Sequence, residues 1–164
     1  MRTLVPSSVR GSGWKIVLSS LFVLLFAAGA LAGPQKTVRV SASGQIFPGE
    51  PCADSPAELC QDVQVTGIAT VLGRVSGELS ERVDAIGHYT GTGVFTTADG
   101  STITTEFEGQ VFPNQDGTAS FTETHTIVDG TGQYENSSGE LILTGTGDAL
   151  GHLDVSGTGT FIKG

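Results

Sequence analysis

Apolar and polar residues alternate with period two along most of this chain beyond residue 32. That pattern suits strands with one buried face and excludes amphipathic helices. In TVRVSASGQIF, residues 37–47, Val38, Val40, Ala42, Gly44 and Ile46 share one face, while Thr37, Arg39, Ser41, Ser43 and Gln45 share the other. Val63, Val65, Gly67, Ala69 and Val71 line up in the same manner. So do Ile103, Phe107 and Val111 against Thr102, Thr104, Glu106 and Glu108, and Leu153, Val155 and Phe161 against Asp154, Ser156, Thr158 and Thr160. One apolar face per strand marks antiparallel sheet with a solvated side. Turn signals separate the runs: ADGS at 98–101, PNQDGT at 113–118 and DALG at 148–151, each bringing Asp or Asn together with Gly. Only residues 55–61 hint at a helical turn.

About eight strands follow. A string of hairpins closes best as a barrel or a two-sheet sandwich, because an open sheet leaves unpaired edges. Three segments decide for the barrel: TGTG at 90–93, TGTG at 144–147 and SGTGT at 156–160. In a strand these put every glycine on one face and every threonine on the other. A glycine face permits close approach, sharp coiling or a cavity. Unequal spacing between the three argues against a solenoid. The expected fold is all-β, a single antiparallel closed barrel of about eight strands, preceded by an N-terminal signal helix.

The first 32 residues read as that signal. Arg2, Arg10 and Lys15 precede an uncharged run from Ile16 to Ala32 that ends Ala30-Leu31-Ala32, the small-x-small pattern that a signal peptidase cuts. Cleavage is expected between Ala32 and Gly33. The competing reading is an uncleaved anchor, since 17 apolar residues stand at the lower limit for spanning a bilayer. The organisation is then a signal peptide at 1–32, an N-terminal strand and cysteine loop at 33–61, and the barrel core at 62–164, with 33–164 forming one domain. The general secretory route leads to the periplasm or the exterior, with no stable membrane insertion after cleavage.

Without the signal the chain holds five basic and 17 acidic residues, a formal charge of 5 − 17 = −12. Nucleic acid, which demands basic patches, is excluded as a partner, and anionic lipid is disfavoured. Cys52 and Cys60, in GEPCADSPAELCQD, read as a disulfide-closed loop in an oxidising compartment. The Cys-x-x-Cys spacing of redox sites is absent.

The segment DGTGQYENSSGELILTGTGD, residues 129–148, resembles the glycine-turn-aromatic hairpin of the barrel shared by allene oxide cyclases, dirigent proteins and bacterial secreted proteins like them. Gly130, Thr131, Gly132, Gln133, Tyr134 and Gly139 stand at the places of that motif. GIATVLGRVSGEL from Gly67 and GTGVFTTADGSTI from Gly91 are similar to two further segments of the bacterial members, so the likeness covers roughly 62–163. It implies the barrel, and a corner at Gly130–Gly139 beside which Tyr134 packs. It also leaves room for a homo-oligomer, since dimers and trimers occur among such proteins. Asp129 and Gln133 depart from the motif, and no cyclase catalytic residue can be placed on the sequence.

The richest polar constellation comes from the hairpin around PNQDG. With Asp116-Gly117 as a two-residue turn, partners sum to 233, so Phe112 faces Phe121, Gln110 faces Glu123 and Glu108 faces His125. A carboxylate opposite an imidazole is the minimum for general acid/base work, which makes Glu108, His125 and Glu123 the catalytic candidates. The plainer reading is a solvated outer face with one cross-strand ion pair worth less than about 1 kcal/mol. His88, His125 and His152 are scattered without ligand spacing, no Gly-x-Ser-x-Gly elbow occurs, and the acidic residues do not follow a calcium-loop pattern. No metal or cofactor is expected. Asn136-Ser137-Ser138 fits a glycosylation sequon.

Two function classes follow. The first is a non-enzymatic exported barrel that binds a small apolar molecule in a glycine-walled interior or offers its surface to a partner. The second is an isomerase-like or cyclase-like enzyme acting inside the same barrel, as the resemblance implies. Polar titratable groups pointing inward favour the enzyme.

Overall fold

The alternation builds strands wherever it occurs. A computed structural model describes residues 33–164; the expected signal helix and its cleavage site at Ala32 lie outside them or at their limit. The strands are β1 (Gln35–Ile46), the two-residue β2 (Glu50–Pro51), β3 (Leu59–Ala69), β4 (Gly73–Val83), β5 (His88–Thr97), β6 (Thr102–Pro113), β7 (Ala119–Gly130), β8 (Ser138–Gly147) and β9 (His152–Ile162). All neighbours are antiparallel, in the order β1-β9-β8-β7-β6-β5-β4-β3, and β1 pairs again with β3. That last pairing closes an eight-stranded up-and-down barrel, with β2 as an extra strand beside β3. Closure removes the free edges that an open sheet would expose.

Each alternating face points as the pattern predicts. Val38, Val63, Leu79, Ile103, Phe107, Leu143, Leu153 and Phe161 are buried inside the barrel. The glycines of the Gly-Thr runs also point inward, but the room they leave is occupied. A Cβ on Gly77 would meet the Phe95 ring, one on Gly91 the Phe107 ring, one on Gly109 the Tyr89 ring, and one on Gly145 the Phe121 ring. Glycine on one strand thus seats an aromatic ring from the next. Two interior cavities of about 60 and 80 Å³ remain, less space than glycine-rich walls alone suggest.

Four hairpins share one loop geometry, at Asp84–His88, Thr97–Ser101, Asn114–Thr118 and Asp148–His152. In each, the first residue's N–H donates to the last residue's carbonyl, and the fourth residue's N–H donates back to the first carbonyl. The fourth residue is always glycine, at φ between +80° and +85°, as a three-residue loop with a left-handed bulge requires. The hairpin around PNQDG therefore has three loop residues rather than two. Partners sum to 232, Val111 facing Phe121 and Phe107 facing His125. This corrects the expected register, and a one-residue slip carries every side chain to the opposite face.

Residues 55–58 form turns rather than a helical segment. They belong to the loop stapled by the Cys52–Cys60 disulfide, with Cα atoms 5.1 Å apart. Arg82 on β4 holds the same loop through Asp54 at 2.8 Å and Glu58 at 2.9 Å. Chain-entropy reasoning for so short a loop gives the disulfide about 2 to 3 kcal/mol. A Cys52→Ser, Cys60→Ser double variant should lose that much in denaturant unfolding; an unchanged midpoint would remove the disulfide from the account of stability.

The structure also brings out an internal repeat. Asp84-Ala85-Ile86-Gly87-His88 and Asp148-Ala149-Leu150-Gly151-His152 are 148 − 84 = 64 residues apart, and Gly44-Gln45-Ile46-Phe47-Pro48 and Gly109-Gln110-Val111-Phe112-Pro113 are 109 − 44 = 65 apart. Their contacts repeat too. Asp84 accepts from the N–H groups of Ile86 and His88, and Asp148 from those of Leu150 and His152. Gln110 donates to the Ile86 carbonyl as Gln45 donates to that of Leu150. The barrel is thus two four-stranded halves, β1, β3, β4 and β5 answering to β6, β7, β8 and β9.

Candidate functional site

The three-residue loop at 114–118 turns the inner face of β7 into Phe121, Glu123, His125 and Ile127. Glu123 and His125 lie inside the barrel, 9% and 1% exposed. Glu108 is exposed on the outer face, opposite Thr124. The expected constellation therefore divides: Glu123 and His125 come together, and Glu108 stands apart from them. The solvated-face reading of His125 is corrected as well.

What meets the pair inside is a chain of side-chain hydrogen bonds. Tyr89 on β5 donates its hydroxyl to Glu123 Oε2 at 3.0 Å. The other carboxylate oxygen lies 3.1 Å from His125 Nε2, and His125 Nδ1 lies 3.0 Å from Thr105 Oγ1 on β6. One assignment satisfies every atom: Thr105 donates to Nδ1, and Nε2–H donates to the carboxylate. The imidazole stacks on Phe107, with centroids 4.7 Å apart, and meets the edge of Phe95 at 5.9 Å. A buried network satisfied in this way has one fixed geometry, because any broken bond strands a polar group away from water.

The carboxylate end opens onto the 80 Å³ cavity toward the disulfide-loop end of the barrel. Gln61, Glu81, Tyr89 and Glu123 are its polar lining, among Val63, Val65, Leu79, Val111, Phe121 and other apolar groups. Glu81 on β4 is half-buried and accepts from Gln61 Nε2. Burial pushes the Glu81 carboxyl above its usual range; the Gln61 hydrogen bond opposes this, and the charge of Glu123 adds to it. Burial, then the Glu123 charge, likewise pushes the Tyr89 hydroxyl far above its ordinary value.

A pH dependence follows. Folded Glu81 holds its proton to higher pH than the unfolded chain does, so its contribution is fully present below about pH 4.5, the ordinary value, and is lost as pH rises through the folded value. The exposed carboxylates Asp54, Asp99, Asp116 and Asp148 are held low by hydrogen bonds, first from Arg82, Thr97, Thr118 and His152 respectively. They act in the opposite sense, favouring the fold above their lowered values. Urea midpoints measured against pH should fall less above pH 4.5 in Glu81→Gln than in the natural protein. Parallel profiles would show that the folded state does not disfavour ionised Glu81.

The internal repeat supplies a control for this network. At the same offsets Thr105 answers to Val40 (105 − 40 = 65), Tyr89 to Leu153 (153 − 89 = 64) and Glu81 to Gly145 (145 − 81 = 64). The strand answering to β7 is β3, which faces inward with Val63, Val65 and Gly67. The four consecutive strands β4–β7 thus carry polar side chains where their counterparts in the repeat, β8, β9, β1 and β3, carry apolar ones or glycine.

Outside this region, His88 and His152 sit on the twin loops, and His152 Nδ1 lies 2.9 Å from Asp148 Oδ2. Among the described residues no group of three His, Cys, Asp or Glu side chains could hold a metal. The Gly130–Gly139 corner contains one 3-10 turn, Gly132–Tyr134, with Tyr134 buried edge-on against Phe161 at 5.8 Å. Asn136 adopts φ +58° there and is exposed.

Sequence reasoning missed Gln61, Glu81, Tyr89 and Thr105. Their signal was parity: Glu81 continues the face of Val75 and Leu79, Tyr89 that of Gly91 and Gly93, and Thr105 lies between Ile103 and Phe107 on one face.

Fold and site together define a closed eight-stranded antiparallel barrel with a polar network at one end of its interior. Compared with known proteins, the chain matches no family model, no curated protein and no solved structure.

Proposed function

We propose that this protein is a small-molecule-binding barrel that works outside the cytoplasm, with its site at the Glu81, Tyr89, Glu123 and His125 end of the interior. The observation that carries the reading is the mismatch between strands β4–β7 and their repeat counterparts β8, β9, β1 and β3. Barrel closure is achieved once with Val, Leu and Gly, so the buried polar network is not a requirement of the fold. The ligand is compact, because the cavity is far smaller than the roughly 300–1,000 Å³ of drug-sized sites. The Cys52–Cys60 disulfide and the acidic surface fit an oxidising compartment. Among the described residues no helix is long and apolar enough to cross a membrane.

The test is a methyl NMR titration of the folded protein with short-chain alcohols and amines, followed at Val65, Leu79 and Val155, which line both interior cavities. Saturable shifts at these methyls support the reading; no saturable shift with any probe overturns it.

The second reading is an isomerase-like or cyclase-like enzyme, which the likeness of the Gly130–Gly139 corner to allene oxide cyclase and dirigent barrels suggests. Two carboxyl groups on one cavity favour it. Glu81 is held toward its protonated form, while Glu123 accepts from Tyr89, an acid beside a base. Turnover of a substrate, lost in both Glu81→Gln and Glu123→Gln, would separate it from simple binding.

A further inference from the structure

The chemistry of the 80 Å³ cavity selects among small molecules, given the reading above that the site binds one. The titratable groups facing it are Glu81 from β4, Tyr89 from β5 and Glu123 from β7, with His125 behind Glu123. No lysine or arginine among the described residues lines either interior cavity. Among the described cations, Arg82 turns outward to Asp54 and Glu58, and Lys36, Arg39, Arg74 and Lys163 are exposed. The polar side of the cavity is therefore anionic or proton-bearing, and it faces aliphatic walls.

The two carboxyl groups differ in what they still lack. Both oxygens of Glu123 are engaged, one by Tyr89 and one by His125. Glu81 has the Gln61 amide and no cationic partner. An anionic ligand would meet like charge in a setting of low dielectric, where repulsion is strong. A neutral alcohol leaves Glu81 in need of a proton. A protonated amine brings a counter-charge and three N–H donors, and leaves its carbon atoms against Val63, Val65 and Leu79.

We infer that the interior site selects compact protonated amines, with Glu81 as the counter-ion opposite the Tyr89–Glu123–His125 network. As the ammonium enters it favours the ionised carboxylate, so whatever fraction of Glu81 is still protonated gives its proton to solvent and one positive charge replaces another. Burial of Glu81, which favours its protonated form when the cavity holds no cation, makes this exchange visible as proton release.

The experiment compares probes of matched shape on the folded protein: ethylammonium against ethanol, and isopropylammonium against isopropanol, followed at the Val65, Leu79 and Val155 methyls. Each ammonium should bind about tenfold or more tightly than its alcohol, as expected for a partly desolvated ion pair. Calorimetry in two buffers of different ionisation enthalpy, repeated across a pH series, should show proton release on amine binding at the pH values where free Glu81 is protonated, fading as pH rises. Glu81→Gln should abolish both the preference and the release. Glu78→Gln, which removes an exposed carboxylate from the same strand, should leave both unchanged and so separate the interior from general surface attraction.

Alcohols binding as tightly as ammonium ions would overturn the inference while leaving a small-molecule site in place. So would a preference that survives in Glu81→Gln, or equal competition by sodium ion. If neither probe series shifts the interior methyls, it is the binding reading itself that fails.

Discussion

Replacing Glu123 with Leu should destabilise the protein by about 2 to 5 kcal/mol, because the change removes one acceptor and strands two donors. Tyr89 Oη and His125 Nε2 both direct their hydrogens at the Glu123 carboxylate, and each buried donor left without a partner costs about 1 to 3 kcal/mol. The same loss should not follow when the whole network is made apolar. A variant carrying Tyr89→Phe, Thr105→Val, Glu123→Leu and His125→Phe together leaves no stranded group, and should recover most of the deficit. The counterpart strands β1, β3 and β9 already demonstrate such a wall, with Val40, Val63, Val65 and Leu153 facing inward. Equilibrium unfolding in denaturant measures both variants. A fourfold variant no more stable than Glu123→Leu would mean that the network supports the fold beyond satisfying its own polar atoms, and the contrast between β4–β7 and their counterparts would lose its force.

That contrast bears on how much of the molecule could be read from sequence. Strand identity was legible, and so was facing where apolar residues alternate as at Val38, Val40 and Ala42, a local signal that needs no knowledge of neighbours; the facing of β7 at Glu123 and His125 was not. Barrel closure was legible for a negative reason: so many short antiparallel strands without covering helices would otherwise expose an edge. The disulfide could be read from the Cys52 and Cys60 spacing together with the oxidising compartment expected for the chain. Register was not legible in the same way. It depends on whether Asp116-Gly117 forms a two-residue turn or ends a three-residue loop, and both satisfy Gly117 equally well locally. The difference of one residue decides whether His125 faces Glu108 in water or Phe107 in the core.

The repeat shows a further limit. Its best-preserved parts are loops and the strand ends that brace them, where Asp84, Gly87, Asp148 and Gly151 are held by hydrogen-bond geometry. The interior strands diverged in residue type while keeping parity, so runs of Gly and Thr gave unequal spacings and concealed the common period. At the candidate site, Glu81, Tyr89, Glu123 and His125 are polar where their counterparts are apolar or glycine. A site is where side-chain identity departs from what packing requires, and laying the two halves over one another adds Glu81, Tyr89 and Thr105 to the Glu123 and His125 already named from sequence.

Truncating Phe161 to Ala should cost about 3 to 5 kcal/mol, the range for emptying a buried aromatic site. Phe161 is 1% exposed and stands on β9, the strand that joins the chain's end to β1. Its neighbours come from around the barrel: Val38, Ala69, Ile103 and Ile127 share its cluster, and Tyr134 meets it edge-on at 5.8 Å. The ring therefore fastens the closing strand and the Gly130–Gly139 corner at once, and neither neighbour can collapse into the space without opening backbone pairing. Thermal unfolding should drop by about 10 °C for a domain of this size. Phe161 does not line the cavity at Glu81 and Tyr89, so ligand binding there, measured well below the new unfolding temperature, should keep the affinity of the natural protein. A loss of stability below about 1 kcal/mol would place the closing contact elsewhere. A loss of binding at full folding would show that the two ends of the interior act as one unit, since the two cavities share Val65, Leu79, Glu123 and Val155 along their common wall.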